Sequence, residues 1–224
     1  RRVIGAIAPH DSVARFEGLG VTVIRAAARF VDDRTVEAGG ERLRARRFVL
    51  ATGSRAAVPP IPGLAETGFL TNENLFALRD RPGHLIVMGG GPIGVEMAQA
   101  FRRLGSEVTL IEKVSLLPRD EPEAVAVVRD TLIAEGVRLL EGPGAAAVRR
   151  IGDAVHVDVD GGGEAIVGTH LLVATGRRPN TEGLGLDVAG VTATAKGITV
   201  DARLRTTNRR VFALGDVCGG PQFT

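Results

Sequence analysis

The chain has 224 residues, 44% of them hydrophobic, and a formal net charge of only +2, enough length and apolar content to bury one large core or two smaller ones. The basic residues are almost all arginine, Lys113 and Lys196 being the only lysines; Arg44, Arg46, Arg47, Arg209 and Arg210 read as solvated edges without interleaved aromatics, which argues against a nucleic-acid-binding face. No apolar run reaches membrane-spanning length, no secretory signal is apparent, and the single cysteine, Cys218, has no internal disulfide partner, so the expectation is a cytoplasmic protein. The chain opens Arg1-Arg2-Val3-Ile4 without Met and closes at Thr224 after a glycine-rich turn, as an internal piece of a longer protein would.

Taken in order, Val3, Ile4, Ile7 and Phe16 predict an amphipathic helix ending near Gly18 and Gly20. Residues 21–24, 28–31, 35–38 and 42–50 read as short strands joined by turns at Asp32-Asp33 and Gly39-Gly40, an antiparallel meander rather than a crossover unit. Pro59, Pro60 and Pro62 mark an extended linker, after which Asn72 or Asn74 could cap a short helix running to Leu78.

The most informative stretch runs from His84 to Lys113. A short apolar strand at 85–88 enters Gly89, Gly91 and Gly94, the G-x-G-x-x-G spacing. Ile93, Met97, Phe101 and Leu104 follow at helical spacing, Gly105 stops the helix, and a second strand at 108–111 ends on Glu112, 18 positions after Gly94. In a dinucleotide site the first glycine allows the tight turn, the second admits the pyrophosphate, and the third lets helix and strand close together; the helix N-terminus then faces the diphosphate. Gly89, Gly90, Gly91, Pro92, Ile93, Gly94 and Val95 are the candidate cradle. A carboxylate at Glu112 would accept hydrogen bonds from ribose hydroxyls and repel a 2′-phosphate, so NAD(H) is expected over NADP(H); Lys113, next on the strand, should face the other way and be solvated.

A helix from Asp120 or Glu121, with Pro122 in its first turn and Val125, Val128, Leu132 and Ile133 on its buried face, should end at Gly136 and lead to a third parallel strand at 137–140. From 145 to 173 the pattern changes to strands, with clean alternation over 154–159 and a turn at Gly161-Gly162-Gly163. A last strand at 211–214 delivers Gly215-Asp216. One internal repeat stands out: Phe48-Val49-Leu50-Ala51-Thr52-Gly53 is echoed by Leu171-Leu172-Val173-Ala174-Thr175-Gly176, two apolar strands running into Ala-Thr-Gly turns whose backbone N–H groups could meet nucleotides. His10, His84, His156 and His170 show no metal-ligand spacing, and no metal site is expected.

With these motifs in place the chain resembles the flavoprotein pyridine nucleotide-disulfide oxidoreductases, the family of dihydrolipoamide dehydrogenase, glutathione reductase and mercuric reductase. The resemblance rests on Ala51-Thr52-Gly53-Ser54 with Pro60-Ile61-Pro62-Gly63-Leu64, on Gly89 to Glu96 with Glu112, on Ala174-Thr175-Gly176-Arg177-Arg178-Pro179-Asn180, and on Val211 to Asp216. The ending through Pro221-Gln222-Phe223 is most similar to mercuric reductases. The resemblance implies an α/β fold: a Rossmann-like NAD-binding domain, parallel sheet plus antiparallel meander, inserted into a partial FAD-binding domain. Residues 1–80 would end the first FAD-domain segment, 81–185 would be the NAD(P)-binding domain, and 186–224 the return segment.

The resemblance further implies hydride transfer from NAD(P)H to FAD, then reduction of a small disulfide, small molecule or metal ion, in a homodimeric parent protein. Glu96 matches a family Glu near the nicotinamide, although the lysine with which that Glu pairs is not in this chain; without the resemblance Glu96 reads as a helix-surface charge. Gly176 would approach the nicotinamide and Ala145 flank the adenine, while Thr52, Gly53, Ser54, Gly215 and Asp216 would touch FAD; taken alone, Asp216 reads as an N-cap or Asx turn. The chain contains neither a second glycine fingerprint nor the family's C-x-x-x-x-C pair, so taken alone it is expected to bind NAD and to be inactive. Two other classes stay open: an NADH:acceptor flavoreductase without redox cysteines, and a non-catalytic NADH-binding sensor or interaction module.

Overall fold

The computed structural model describes residues 2–220; Arg1 and the Pro221-Gln222-Phe223 ending lie outside them. The chain forms two compact units, Ser54–Arg178 and, from both ends, Arg1–Gly53 with Pro179–Thr224.

The central unit is built on a four-stranded parallel sheet in the order His170–Val173, His84–Met88, Glu107–Glu112, Arg138–Glu141. Helices Pro92–Arg103 and Pro122–Ala134 make the crossovers. Parallel strands covered on both faces must be apolar on both, and Leu85, Ile86 and Val87 are each 0% exposed. Their alternation sorts two cores. Leu85 and Val87 join Val95, Ala98, Val125 and Leu132 on the helix side. Ile86 and Met88 join Val148, Val155, Val157 and Ile166 on the other, where the antiparallel strands Ala145–Ile151, Ala154–Val159 and Ile166–Gly168 form a second, three-stranded sheet. Residues 54–80, grouped in sequence with the preceding segment, pack within this unit. Leu64 and Leu75 are 1% exposed in its two cores, and Leu70 bridges in parallel to Leu172.

Both helices bury much of the face the hydrophobic spacing predicts: Met97 and Phe101 of the first, and Val125, Val128 and Leu132 of the second, pack in the helix-side core, while Leu104 and Ile133 do not. The first is closest to the sheet through Gly94, Val95 and Ala98, with Met97 and Phe101 partly buried and Leu104 67% exposed. The second buries Val125 and Leu132 but leaves Ile133 54% exposed. Before them, the short helix expected through Leu78 is a single 3₁₀ turn, Leu75–Ala77; Asn74 does not cap it, because its Oδ1 accepts instead from the Thr71 N–H at 2.7 Å.

In the other unit, Ala28–Phe30, Thr35–Ala38 and Glu41–Arg44 form the expected antiparallel meander. The single strand predicted over 42–50 is two: Phe48–Leu50 leaves the meander and pairs in parallel with Val211–Ala213. Residues 21–24 form no strand, having no ladder partner. The N-terminal helix is also interrupted. Helix Arg2–Ile7 passes into a 3₁₀ turn containing Pro9, which has no N–H to give, and Ser12 caps a new helix, Val13–Gly18, by accepting from Arg15 N–H at 3.2 Å. Val3, Ile4, Ile7 and Phe16 remain exposed. The core of this unit gathers Phe30, Val191, Ile198, Val211, Ala213 and Val217, with Phe48 edge-on to Phe30 at 5.1 Å.

Candidate nucleotide-binding site

The glycine turn sits where the strand His84–Met88 leaves the sheet. Gly89 has φ +112°, a conformation L side chains rarely adopt, and a Cβ there would overlap the Ala174 carbonyl. A Cβ on Gly94 would overlap the carbonyl oxygen of Gly89, so helix and turn lie in contact. Gly91 is different: a Cβ would meet nothing within 4 Å. It is the N-cap of the helix Pro92–Arg103 and no side chain caps that end, which leaves the first-turn N–H groups for a ligand. Packing is thus tight at the first and third glycines and open at the second, as a bound diphosphate requires. Pro92 is exposed at the first helical position, Ile93 is half-buried, Val95 lies in the helix-side core, and Glu96 is exposed on the helix.

Glu112 ends the neighbouring strand beside this turn. Its Oε2 accepts from the Gly90 N–H at 2.6 Å and its Oε1 from the Val114 N–H at 2.9 Å. A carboxylate has about four acceptor sites, so both oxygens can still receive ribose hydroxyls. Gly90, which the fingerprint spacing does not require, is also committed: a Cβ would stand 2.9 Å from Glu112 Cβ and Leu116 Cδ2. Lys113 is 76% exposed, with Nζ 4.0 Å from Asp160.

One strand further, in register with Glu112, lies Glu141, which sequence reading missed. It accepts from Leu116 N–H at 2.8 Å and from Arg129 Nε and Nη2 at 2.7 and 2.9 Å. The Arg129 guanidinium, opposed by burial and helped by the Leu116 N–H, holds the Glu141 carboxyl below the usual carboxylate range. The adjacent Leu117 N–H donates to the Gly90 carbonyl at 2.9 Å. A chain of contacts therefore runs from Arg129 through Glu141 and the 116–117 turn to Gly90. Nothing in the local pattern flags it, because its members are up to 51 residues apart between Gly90 and Glu141.

Ala145 is half-buried at the start of its strand, just beyond Gly142, whose N–H donates to the Glu112 carbonyl at 2.9 Å. Gly176 is exposed with φ +142°. Its carbonyl accepts from Ala57 N–H at 2.9 Å while Thr175 Oγ1 donates to the Ala57 carbonyl at 2.9 Å. The first Ala-Thr-Gly turn has the same construction in the other unit: the Gly53 carbonyl accepts from Asn180 N–H at 3.0 Å and Thr52 Oγ1 donates to the Asn180 carbonyl at 2.8 Å. The sequence repeat is therefore a structural one. Ser54 Oγ accepts from Arg177 Nε at 2.6 Å.

Gly215 and Asp216 follow the strand Val211–Ala213 in a 3₁₀ turn, Gly215–Cys218. Gly53 and Gly215, with φ +65° and +76°, both face open space. Left-handed glycines with nothing against them suit the close approach of a flavin nucleotide. Cys218 packs half-buried at the end of that turn, and burial pushes its thiol up, away from the reactive thiolate. Among the described residues no group of three or more His, Cys, Asp or Glu is arranged to hold a metal, and no helix is long and apolar enough to cross a membrane.

The pyridine nucleotide-disulphide oxidoreductase family model matches residues 10–224. Mercuric reductase of Bacillus cereus is 41% identical over 208 residues, covering 91% of this chain and 33% of that protein. Dihydrolipoyl dehydrogenase of Thermus scotoductus is 40% identical over 218 residues, 92% of this chain and 46% of that protein. The HOCl-induced flavoprotein disulfide reductase RclA from Escherichia coli superposes with TM-score 0.87 at 32% identity, over 94% of this chain and half (50%) of that one. With this fold and this match, the chain belongs to the pyridine nucleotide-disulfide oxidoreductase family. It spans between a third and a half of the length of the relatives it matches.

Proposed function

We propose that the chain carries the NAD(H)-binding domain of an FAD-dependent pyridine nucleotide-disulfide oxidoreductase, inserted between two FAD-domain segments; of the bounds expected from the sequence, 1–80, 81–185 and 186–224, residues 54–80 go with the inserted domain and 179–185 with the return segment. When bound, the two cofactors supply hydride transfer from nicotinamide to flavin, and the electron pair goes on to a disulfide or metal-ion acceptor. In this reading Gly91, Gly94 and the first helical turn hold the NAD diphosphate, Glu112 receives the adenosine ribose, and Ala145 and Gly176 flank the adenine and nicotinamide ends. Glu96 faces the nicotinamide and flavin, and Thr52, Gly53, Ser54, Gly215 and Asp216 line the FAD side. The parent protein is a cytoplasmic homodimer acting on a small acceptor.

The observation that carries the reading is the open face at Gly91 beside a strand-end carboxylate. That carboxylate also supports NAD(H) over NADP(H): a 2′-phosphate would bring a second anion to Glu112 and remove its hydroxyl donors. Losing a charged hydrogen bond costs about 1.5–3 kcal/mol, about tenfold or more in affinity. Fluorescence titration of NADH and NADPH into wild type and Glu112→Arg tests this. NADH should bind at least about tenfold more tightly to wild type, and the substitution should shrink the ratio. Equal wild-type affinities, or an unchanged ratio, would remove Glu112 from this role.

A further inference from the structure

The strands Phe48–Leu50 and Val211–Ala213 run in parallel, and the candidate flavin residues follow their C-terminal ends. At the opposite, N-terminal end is a cavity of about 820 Å³ lined by Arg46, Arg47, Asn208, Arg209 and Arg210, a volume in the range of small-molecule sites. Four arginines line it, and none of them forms an ion pair among the described residues. The loops that present them are fixed. Phe48 N–H donates to the Arg210 carbonyl at 2.9 Å, and Arg210 N–H donates to Asn208 Oδ1 at 2.9 Å. Asn208 Nδ2 in turn donates to the Ala189 and Asp33 carbonyls at 2.8 and 3.1 Å. Arg47 lies over the Phe212 ring, 5.9 Å from its centre.

We propose that this cavity binds a small anion carrying several phosphate groups. Like charges placed around one cavity repel unless an anion joins them, and the hydrogen-bonded loops hold the four arginine positions around it. Planar guanidinium forks match phosphate oxygens in pairs, and the concave shape favours a compact ligand over an extended chain. The strand pair separates this site from the glycines at 53 and 215, so its ligand is not the flavin diphosphate. The inference does not depend on nucleotide binding in the central unit.

Titration calorimetry with inorganic tripolyphosphate and with ATP tests it. Wild type should bind tripolyphosphate saturably at one site removed by these substitutions. Arg46→Gln with Arg209→Gln, both exposed positions, should weaken binding by about tenfold or more, and each single substitution by less. The control Arg25→Gln with Arg138→Gln, which removes the same charge elsewhere, should leave the affinity within about twofold. Tighter binding of ATP than of tripolyphosphate identifies a nucleotide as the source of the phosphates; the reverse identifies an inorganic chain. Absent binding, equal affinities in wild type and Arg46→Gln/Arg209→Gln, or equal loss in the control, would overturn the assignment. So would a single-stranded oligonucleotide binding more tightly than either small anion.

Discussion

At Gly94 the cost of a side chain is set by a backbone atom, the Gly89 carbonyl oxygen, which cannot rotate away. Gly94→Ala must push the helix from the turn, and overpacking of this kind costs about 1–3 kcal/mol. The variant should melt at lower temperature and bind NADH about tenfold or more weakly. Gly91→Ala has room for its methyl group; it should leave the melting temperature nearly unchanged and still lose NADH affinity, since the methyl occupies the open face. A comparison of melting curves with NADH titrations separates the two glycines, and equal loss of stability in both would deny the distinction.

The Arg129–Glu141 pair belongs to the scale of elements, joining the second crossover helix, the last parallel strand and the 116–117 turn. Glu141 has a lowered carboxyl pKa in the folded protein. Its stabilising contribution is therefore fully present above the unfolded value, about 4.3, and is lost as pH falls through the lower folded one. Glu141→Gln should cost about 1–2 kcal/mol at pH 7, charged hydrogen bonds being discounted for the partial exposure of the pair. The gap from wild type should close in acid, which denaturant titrations at several pH values would show. Because Leu116 and Leu117 rest on Gly90, the same variant should loosen NADH binding. A gap that persists to the lowest pH would mean that the carboxylate charge contributes nothing.

The glycine fingerprint was legible because each glycine answers a local steric demand that spacing alone records. The helix faces were legible in part, since Met97, Phe101, Val125, Val128 and Leu132 pack as their spacing predicts. Ile93 and Leu104 carry the hydrophobic signal, yet the closest approach to the sheet is made by Gly94 and Ala98, which that signal undervalues. The 42–50 segment looked like one strand because alternation does not say which sheet a residue joins. Phe48 commits to Val211, 163 positions away, and only that pairing divides it. Glu141 and Arg129 were invisible for the same reason.

On the scale of the whole molecule, the one glycine fingerprint lies in the central unit, and the other unit offers a flavin only Thr52, Gly53, Gly215 and Asp216, with Ser54 falling in the central unit. The purified 224-residue chain is therefore expected to carry no stoichiometric flavin. Its visible absorption spectrum checks this, and a full flavin band would show that these residues bind FAD without a second diphosphate turn.

The pairing of His170–Val173 with His84–Met88 has a kinetic meaning. Three parallel strands follow one another along the chain, but the fourth closes a loop of more than 80 residues, as the Thr169–His84 hydrogen bond across 85 positions records. Such closures come late, since their entropy is lost before their contacts form. The Ala174 carbonyl that packs on Gly89 arrives with that strand. During refolding, secondary structure should thus recover before the ability to bind NADH, a lag visible when far-ultraviolet circular dichroism and NADH fluorescence are followed together. The nucleotide site would then be among the last features of the unit to mature, and a nascent chain would hold no cofactor until its Ala174 turn had left the ribosome.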